Sequence, residues 1–307
     1  MITTICLNPS IDKTVDVSQI EIGEVNRIKN VRTDMGGKGL NVAVVAHRLG
    51  LEVQCIGCMG RESSAMMDRL IAKEGLKASF LPVEGEVRTN LKVISQSGQG
   101  VTEFNEPGAP LSEEDREAFL ELAAKATRGS EYVVITGSPR PGCPDALYRD
   151  LMELLRPARC ILDCVGEPLL QGLQARPFLI KPNLSELETT MGSALRTLRG
   201  IRAAAVELVN RGAENVIVSM GKMGALYTDG TQTLFAPAPT VQSRSTVGAG
   251  DAMVGGLLLG LAKEGTLDKA LRYGIAAGAA SVMTEGTQLI NEMDFKALLP
   301  KVQIQEV

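Results

Sequence analysis

Ser243-Arg-Ser-Thr-Val-Gly248-Ala249-Gly250-Asp251-Ala-Met-Val-Gly-Gly-Leu-Leu-Leu-Gly-Leu-Ala262 is a loop that turns into an apolar helix at three small residues. The first N–H groups of a helix have no intrahelical partner, and the aligned peptide dipoles make that end partly positive. With only Gly248, Ala249 and Gly250 there, no bulky side chain keeps an anion from those donors. Asp251 stands at the mouth of the same turn. A cradle for negative charge beside a carboxylate that takes a proton from a hydroxyl suits phosphoryl transfer. The same residues also read as a helix capped by Asp251 and packed closely through its glycines. The stretch by itself leaves both readings open.

Outward from it, short apolar, β-branched runs alternate with longer helical patterns. Strands are predicted over 2–7, 53–58, 132–136, 160–164, 178–181 and 216–220. Helices are predicted over 39–49, 63–74, 113–126, 145–155, 195–210, 252–263 and 267–284. That alternation is the signature of an α/β fold, a parallel sheet with helices on both faces. Polar, glycine- and proline-punctuated residues follow the strands: Asn8-Pro-Ser-Ile-Asp12, Gly137-Ser138, Asp163, Lys181-Pro-Asn183 and Ser219-Met-Gly221. In open parallel sheets the ligand crevice lies outside the carboxyl ends of the strands, so these residues are expected to line one site.

Two segments, 14–34 and 88–103, break the alternation with the pattern of half-exposed strands. They are expected to pair into a small antiparallel sheet, a flap that closes over a substrate or pairs with another subunit's flap. Extra edge strands on the main sheet are the alternative. Beside the first segment lies a second glycine-rich turn, Asp34-Met-Gly36-Gly37-Lys38-Gly39-Leu-Asn41. It is not a P-loop, because Gly39 follows Lys38 where a P-loop has Ser or Thr. Neither glycine loop fits the dinucleotide fingerprint with its acidic residue.

The bulk numbers narrow the class. With 44% hydrophobic and 22% charged residues in 307, the chain reads as an ordinary globular protein. A net charge of -4 and the lack of Trp leave no basic field or stacking platform for nucleic acid. The longest apolar run is too short and glycine-rich for a membrane span, and the N-terminus lacks the character of a signal peptide. A cytoplasmic protein is expected. Cys55-Ile-Gly-Cys58 has the spacing of a redox or metal pair but sits in a strand-like run with no second pair, so core cysteines are expected. His47, the single histidine, falls within a predicted helix, which gives a Ser-His-Asp hydrolase little support.

These motifs, in this order, resemble the ribokinase-like (PfkB) family of carbohydrate kinases over essentially the whole chain. Two signatures carry the resemblance, Gly36-Gly37-Lys38-Gly39-Leu-Asn41-Val-Ala43 and Ser245-Thr-Val-Gly-Ala-Gly-Asp-Ala-Met253. Asn8-Pro-Ser-Ile-Asp12, Gly137-Ser138-Pro139, Lys181-Pro-Asn183-Leu-Ser-Glu186 and Ser219-Met-Gly221-Lys-Met-Gly224 support it. The resemblance implies one kinase domain over 1–307, a three-layer αβα sandwich with a mainly parallel sheet. It also implies a β-sheet lid from about 12–35 and 87–105 that often serves as a dimer clasp. ATP and Mg²⁺ are the implied cofactors. Asp251 is then the base, with Gly248, Ala249 and Gly250 as the anion hole. Lys181, Ser219, Gly221 and Gly224 are implied ATP contacts, and Asn183 with Glu186 organises Mg²⁺ through waters. Ser245, Val247, Ser281, Thr284 and Gly286 fall where many members hold a monovalent cation such as K⁺. Asp12, Gly36, Gly37, Asn41 and Ser138 are expected around the acceptor.

Lys38, Arg88, Lys92 and Arg27 would supply cations for an acceptor that already carries a phosphate, although the same residues also fit a solvated lid face. Asn8-Pro-Ser-Ile-Asp12 with Gly36-Gly-Lys-Gly-Leu-Asn41 resembles the phosphosugar branch, and Glu24-Val-Asn-Arg27 and Arg88-Thr-Asn-Leu-Lys92 are most similar to its members that act on fructose 1-phosphate. Ala276-Ala-Gly-Ala-Ala-Ser-Val-Met-Thr-Glu-Gly-Thr-Gln288 is also close to the minor 6-phosphofructokinase. The expected reaction is transfer from ATP to C6 of D-fructose 1-phosphate. Tagatose 6-phosphate and fructose 6-phosphate are the alternative acceptors. A non-catalytic sugar-phosphate sensor on the same fold is the alternative of another class.

Overall fold

In the computed structural model, residues 1–98, 101–286 and 288–307 are described. Gln99 and Gly100 of the second flap segment, and Thr287 of the C-terminal motif, lie outside the described residues. The chain opens with β1 (Ile2–Cys6), β2 (Ser10–Val17), β3 (Asn30–Gly36), α1 (Lys38–Arg48) and β4 (Val53–Gly60). Next come α2 (Ser64–Glu74), β5 (Lys77–Val83), β6 (Arg88–Ser95) and β7 (Val101–Asn105). Helix and strand then alternate through α3 (Glu113–Ala126), β8 (Tyr132–Thr136), α4 (Leu147–Leu154), β9 (Arg159–Asp163), α5 (Glu167–Leu173) and β10 (Leu179–Ile180). After α6 (Leu184–Met191), α7 (Leu198–Asn210) and β11 (Val216–Ser219) comes the hairpin β12 (Ala225–Thr228) and β13 (Thr233–Ala236). The chain closes with α8 (Ala249–Glu264), α9 (Leu267–Ser281), α10 (Glu292–Leu298) and β14 (Gln305–Glu306).

A ten-stranded sheet runs in the order β14-β13-β12-β11-β10-β9-β8-β1-β4-β5. It is parallel from β5 to β11 and antiparallel beyond. Side chains alternate across it into two cores. Ile2, Cys6, Val134 and Ile217 pack with α1, α8 and α9 on one face. Ile5, Ile135, Leu162 and Val218 pack with α3, α4, α5 and α7 on the other. Burial on both faces is why these strands read as unbroken apolar runs. The layers are those of an αβα sandwich. Cys55 and Cys58 lie in these cores, and burial pushes the Cys58 thiol up to about 12, as expected of cysteines that act as small hydrophobes. His47 is exposed on α1.

α8 and α9 pack tightly because their facing residues are small. A Cβ at Gly256 would overlap the Tyr273 carbonyl, and one at Gly260 would come within 2.6 Å of the Ala270 Cα. Among the described residues no helix is long and apolar enough to cross a membrane.

β1 lies between β4 and β8, and later strands are added on both sides of it. The order of connection therefore reverses there, which opens a crevice at the carboxyl ends of the strands. From that edge rises a separate four-stranded sheet, β3-β2-β6-β7. It is not an extension of the main sheet. Nor is it wholly antiparallel as expected: β2 pairs with β6 in parallel, from Ser10 opposite Arg88 to Val17 opposite Ser95. The cause lies in the connections. β2 follows β1, and β6 follows β5, by short links, so two strands of the parallel sheet launch them in the same direction.

Several expected boundaries move, and α8 starts at Ala249 rather than 252. α7 starts at Leu198 rather than 195, because the Thr197 hydroxyl accepts from the Gly200 N–H at 3.1 Å and caps it there. α9 ends at Ser281, short of 284. β10 shrinks to two residues beside Lys181-Pro182. The short elements α5, α6, α10, β5, β12, β13 and β14 were not anticipated, since runs of this length carry little periodicity.

Candidate active site

The N-terminus of α8 is made by Gly248, whose φ of 77° is the left-handed conformation that glycine adopts without strain. No side chain caps this helix, so Asp251 is not spent on capping. Its carboxylate is 6% exposed and accepts a hydrogen bond from Asn41 Nδ2 at 2.8 Å. Asn41 belongs to α1, the helix that follows the other glycine-rich turn, so the two signatures meet at this bond. Burial pushes the Asp251 carboxyl up to about 6; Lys38 opposes that rise, Asp163 adds to it, and Asn41 and Lys181 oppose it further.

The strand ends complete the surroundings. Asp163, the last residue of β9, is 2% exposed and sits between two lysines. Its Oδ1 lies 3.4 Å from Lys181 Nζ and its Oδ2 lies 3.6 Å from Lys38 Nζ. The Thr136 hydroxyl, at the end of β8, donates to Oδ2 at 3.1 Å. Burial alone would raise the Asp163 carboxyl; Lys181 and Lys38 more than offset it and hold it below the usual carboxylate range. Burial tends to lower Lys38, but Asp163, Asp251 and Glu186 together raise it. Lys181 Nζ lies 3.5 Å from where a Cβ on Gly250 would sit, so its charge is at the mouth of the α8 turn.

Lys38, Asp163, Lys181, Asn183, Glu186 and Asp251 line one end of a cleft of about 840 Å³, with Gly248, Ala249 and Gly250 at its base. Ser219, Gly221 and Gly224 line it as well. Its lining is also apolar, with Pro239, Val241, Ile275 and Val282. A space lined by both cations and apolar side chains fits a nucleotide. The sequence reading missed that apolar lining and, although it placed Asp163 among the strand-end residues of the site, gave it no role there. The available signal for Asp163 was a charged residue ending the apolar run Cys160-Ile-Leu-Asp163.

Asn183 and Glu186 cap α6 reciprocally. Asn183 Oδ1 accepts from the Glu186 N–H and Glu186 Oε2 from the Asn183 N–H, both at 2.8 Å. Among the described residues no three His, Cys, Asp or Glu side chains converge. The donor set suits a divalent ion held mainly by phosphate oxygens and water, with these two residues turned to its hydration shell. The residues expected at a monovalent cation lie in the loop after α9 and in the segment before α8. The Val282 carbonyl accepts from the N–H groups of Arg244 and Ser245, and Thr284 Oγ1 donates to the Ser281 carbonyl at 2.8 Å. Val247 N–H donates to Ser245 Oγ at 3.3 Å. Ser281 Oγ is buried with no hydrogen-bond partner among the described residues, an orphaned oxygen of the kind a cation satisfies. Gly286 has no room for a side chain, because Arg32 of β3 fills that space.

On the smaller sheet, Asp12 is saturated. Ser10 Oγ (2.7 Å) and Asn90 Nδ2 (3.0 Å) donate to its Oδ1, and Lys92 forms an ion pair with its Oδ2. Lys92 was expected to face an acceptor phosphate; the structure instead spends its charge on Asp12, with both residues buried. Lys38 was expected there too, but its ammonium is turned to Asp163 and the nucleotide-sized cleft. Arg88 lies at the start of β6 and donates to the carbonyls of Asn8 and Glu106, both at 3.2 Å. Arg27 is exposed on the loop between β2 and β3, and Ser138 is exposed after Gly137. Gly36 and Gly37 bring the turn against Asp12 and Cys6.

Comparison with known proteins gives a consistent picture. The model of the pfkB family of carbohydrate kinases matches residues 6–293. A 1-phosphofructokinase of Vibrio cholerae is 34% identical over 305 residues, covering 99% of this chain and 96% of the relative. One from Bacillus subtilis is 35% identical over 306 residues, covering 99% of each. Phosphofructokinase-2 from Escherichia coli, solved in complex with potassium, superposes with a TM-score of 0.92 at 32% identity, covering 98% of each chain.

Proposed function

The chain belongs to the pfkB family of carbohydrate kinases, and on that premise we propose that it phosphorylates C6 of D-fructose 1-phosphate with Asp251 as general base. It is an ATP-dependent sugar kinase of the 1-phosphofructokinase type. The observation that carries the finer reading is the Asn41–Asp251 hydrogen bond, which joins the acceptor-side turn to the anion cradle. Asp251 takes the proton of the C6 hydroxyl as that oxygen bonds to the γ-phosphorus. The bond from the γ-phosphorus to the β,γ-bridging oxygen breaks, and ADP leaves. Lys38 and Lys181 face the phosphates, and the α8 N–H groups hold the charge of the transferring group. Asn183 and Glu186 would hold a divalent ion through its waters, and Ser281 would contribute to a monovalent site; both ions would offset phosphate charge.

Since Lys38 and Lys92 are engaged elsewhere, Arg88 is the cation assigned to the 1-phosphate, with the smaller sheet as the lid over it. Comparison of kcat/KM for fructose 1-phosphate, fructose 6-phosphate and tagatose 6-phosphate tests the acceptor. Fructose 1-phosphate should lead, and Arg88→Ala should raise its KM by about tenfold or more with kcat little changed. A higher kcat/KM for either 6-phosphate would replace the substrate assignment.

The outer strands of the smaller sheet, β3 and β7, have free edges and exposed apolar side chains at Val31, Val101 and Phe104. We read this face as a homodimer interface. Sedimentation equilibrium should give a dimer at micromolar concentration; a monomer there would remove the interface. A kinase drawing on ATP and a sugar phosphate is placed in the cytoplasm by this reading.

A further inference from the structure

Two lysines and two buried carboxylates crowd one end of the cleft, and an aspartate that serves as a base must not be locked in an ion pair. Lys38, from the N-terminus of α1, has both Asp163 and Asp251 within electrostatic reach. Lys181, just beyond β10, sits against Gly250, next to Asp251 in the chain. Either ammonium would form an ion pair with Asp251 if nothing else held it. Asp163 offers the alternative partner: one carboxylate oxygen faces each lysine, at 3.4 and 3.6 Å, and Thr136 fixes its orientation. Among the described residues, the hydrogen-bond partner of the Asp251 carboxylate is the neutral amide of Asn41.

We propose that Asp163 is a positioning residue that draws Lys38 and Lys181 away from Asp251, leaving the base free and both ammonium groups aimed at the phosphates. This rests on the reading of Asp251 as base. Asp163 touches neither reacting oxygen. Its effect passes through the lysines, and the charged groups facing Asp251 are these two lysines and Asp163 itself. When phosphate oxygens arrive they share the lysines with Asp163, so the cations need not be recruited from Asp251.

The test is Asp163→Asn, which keeps shape and removes charge; Asp163→Ser serves if that variant does not fold. In the wild type, kcat/KM for the acceptor should fall as pH drops through about 6, because Asp251 must be ionised to accept the proton. Without Asp163 the lysines swing to Asp251, and a negative neighbour is lost. Both changes favour the carboxylate, so the acid limb moves down by about one pH unit. The kcat at neutral pH falls by about tenfold, because a paired and less basic carboxylate is a poorer base. The Kd for ATP changes by no more than a few-fold, since the lysines turning to Asp251 and the loss of the negative charge of Asp163 act in opposite directions. In Asp163→Asn with Lys38→Met, the limb should return upward.

A residue that merely supports packing predicts an unmoved limb, and that result would overturn the proposal. So would a limb that stays low when Lys38 is also removed. Failure of the base assignment is visible separately: Asp251→Asn would keep its turnover, and the wild type would show no acid limb near 6.

Discussion

Replacing Asp251 with asparagine should lower kcat between about a hundred and ten thousandfold, the range that a positioned general base supplies. The amide keeps the volume and can still bond Asn41 after a rotation, but it cannot take the proton from the hydroxyl. ATP binding should be nearly unchanged, because the lysines, the α8 N–H groups and the apolar wall remain. The variant should also be no less stable than the wild type above pH 6. Burial raises the Asp251 carboxyl from its ordinary 3.8 to about 6, so between these values the folded state binds more protons than the unfolded one. Stability at this residue is therefore lost as pH rises through that window, and asparagine escapes the cost. Steady-state kinetics, ATP titration and thermal melts at pH 5 and 8 check all three. Turnover within a few-fold of wild type would remove Asp251 from the base role.

The second large effect is expected from Gly36→Ala, one methyl group on a turn. A Cβ there would overlap Asp12 Oδ1 and come within 2.5 Å of Asp12 Cγ and Ser10 Oγ. These are atoms of the buried network that holds Lys92, which is 4% exposed and paired with Asp12. Moving Asp12 leaves a buried ammonium without its partner, at a cost of about 3–5 kcal/mol. For a chain of this size the melting temperature should drop by roughly 5–10 °C. The acceptor KM should rise by about tenfold or more, because Asp12 and the Gly36–Gly37 backbone shift together. ATP affinity should stay near wild type, since Asp12 does not line the nucleotide cleft. A variant with wild-type melting temperature and acceptor KM would show that the turn relaxes without moving Asp12, and the network would lose its assigned importance.

Much of this was legible beforehand because it is written in local patterns. The strand over 132–136 and the helix over 113–126 appear as expected, since an apolar run and an amphipathic run each carry their own period. The two glycine-rich turns announced themselves by small residues at helix starts. Capping is equally local: Asn183 and Glu186, three apart, form the box that their spacing allows. The short β10 and the hairpin β12–β13 were harder, because two to four residues do not establish a period.

By itself the sequence determined the αβα layering and the family, and it placed Gly248, Ala249 and Gly250 with Asp251 at the start of one helix. Which charge faces which was decided only by the tertiary structure. Lys38 is followed by a glycine and stands beside the acceptor-side turn, yet its partner is Asp163, at the end of a strand from the other half of the chain. Lys92, read as a cation for substrate, is held by Asp12 across a parallel pair of strands whose direction the sequence did not reveal. Asp251, equally readable as a cap, is turned to Asn41, which is 210 residues away in the chain. A period of two or 3.6 residues is a property of neighbours along the chain. The partner of a buried charge depends on how distant strand ends are brought together, and no local period carries that.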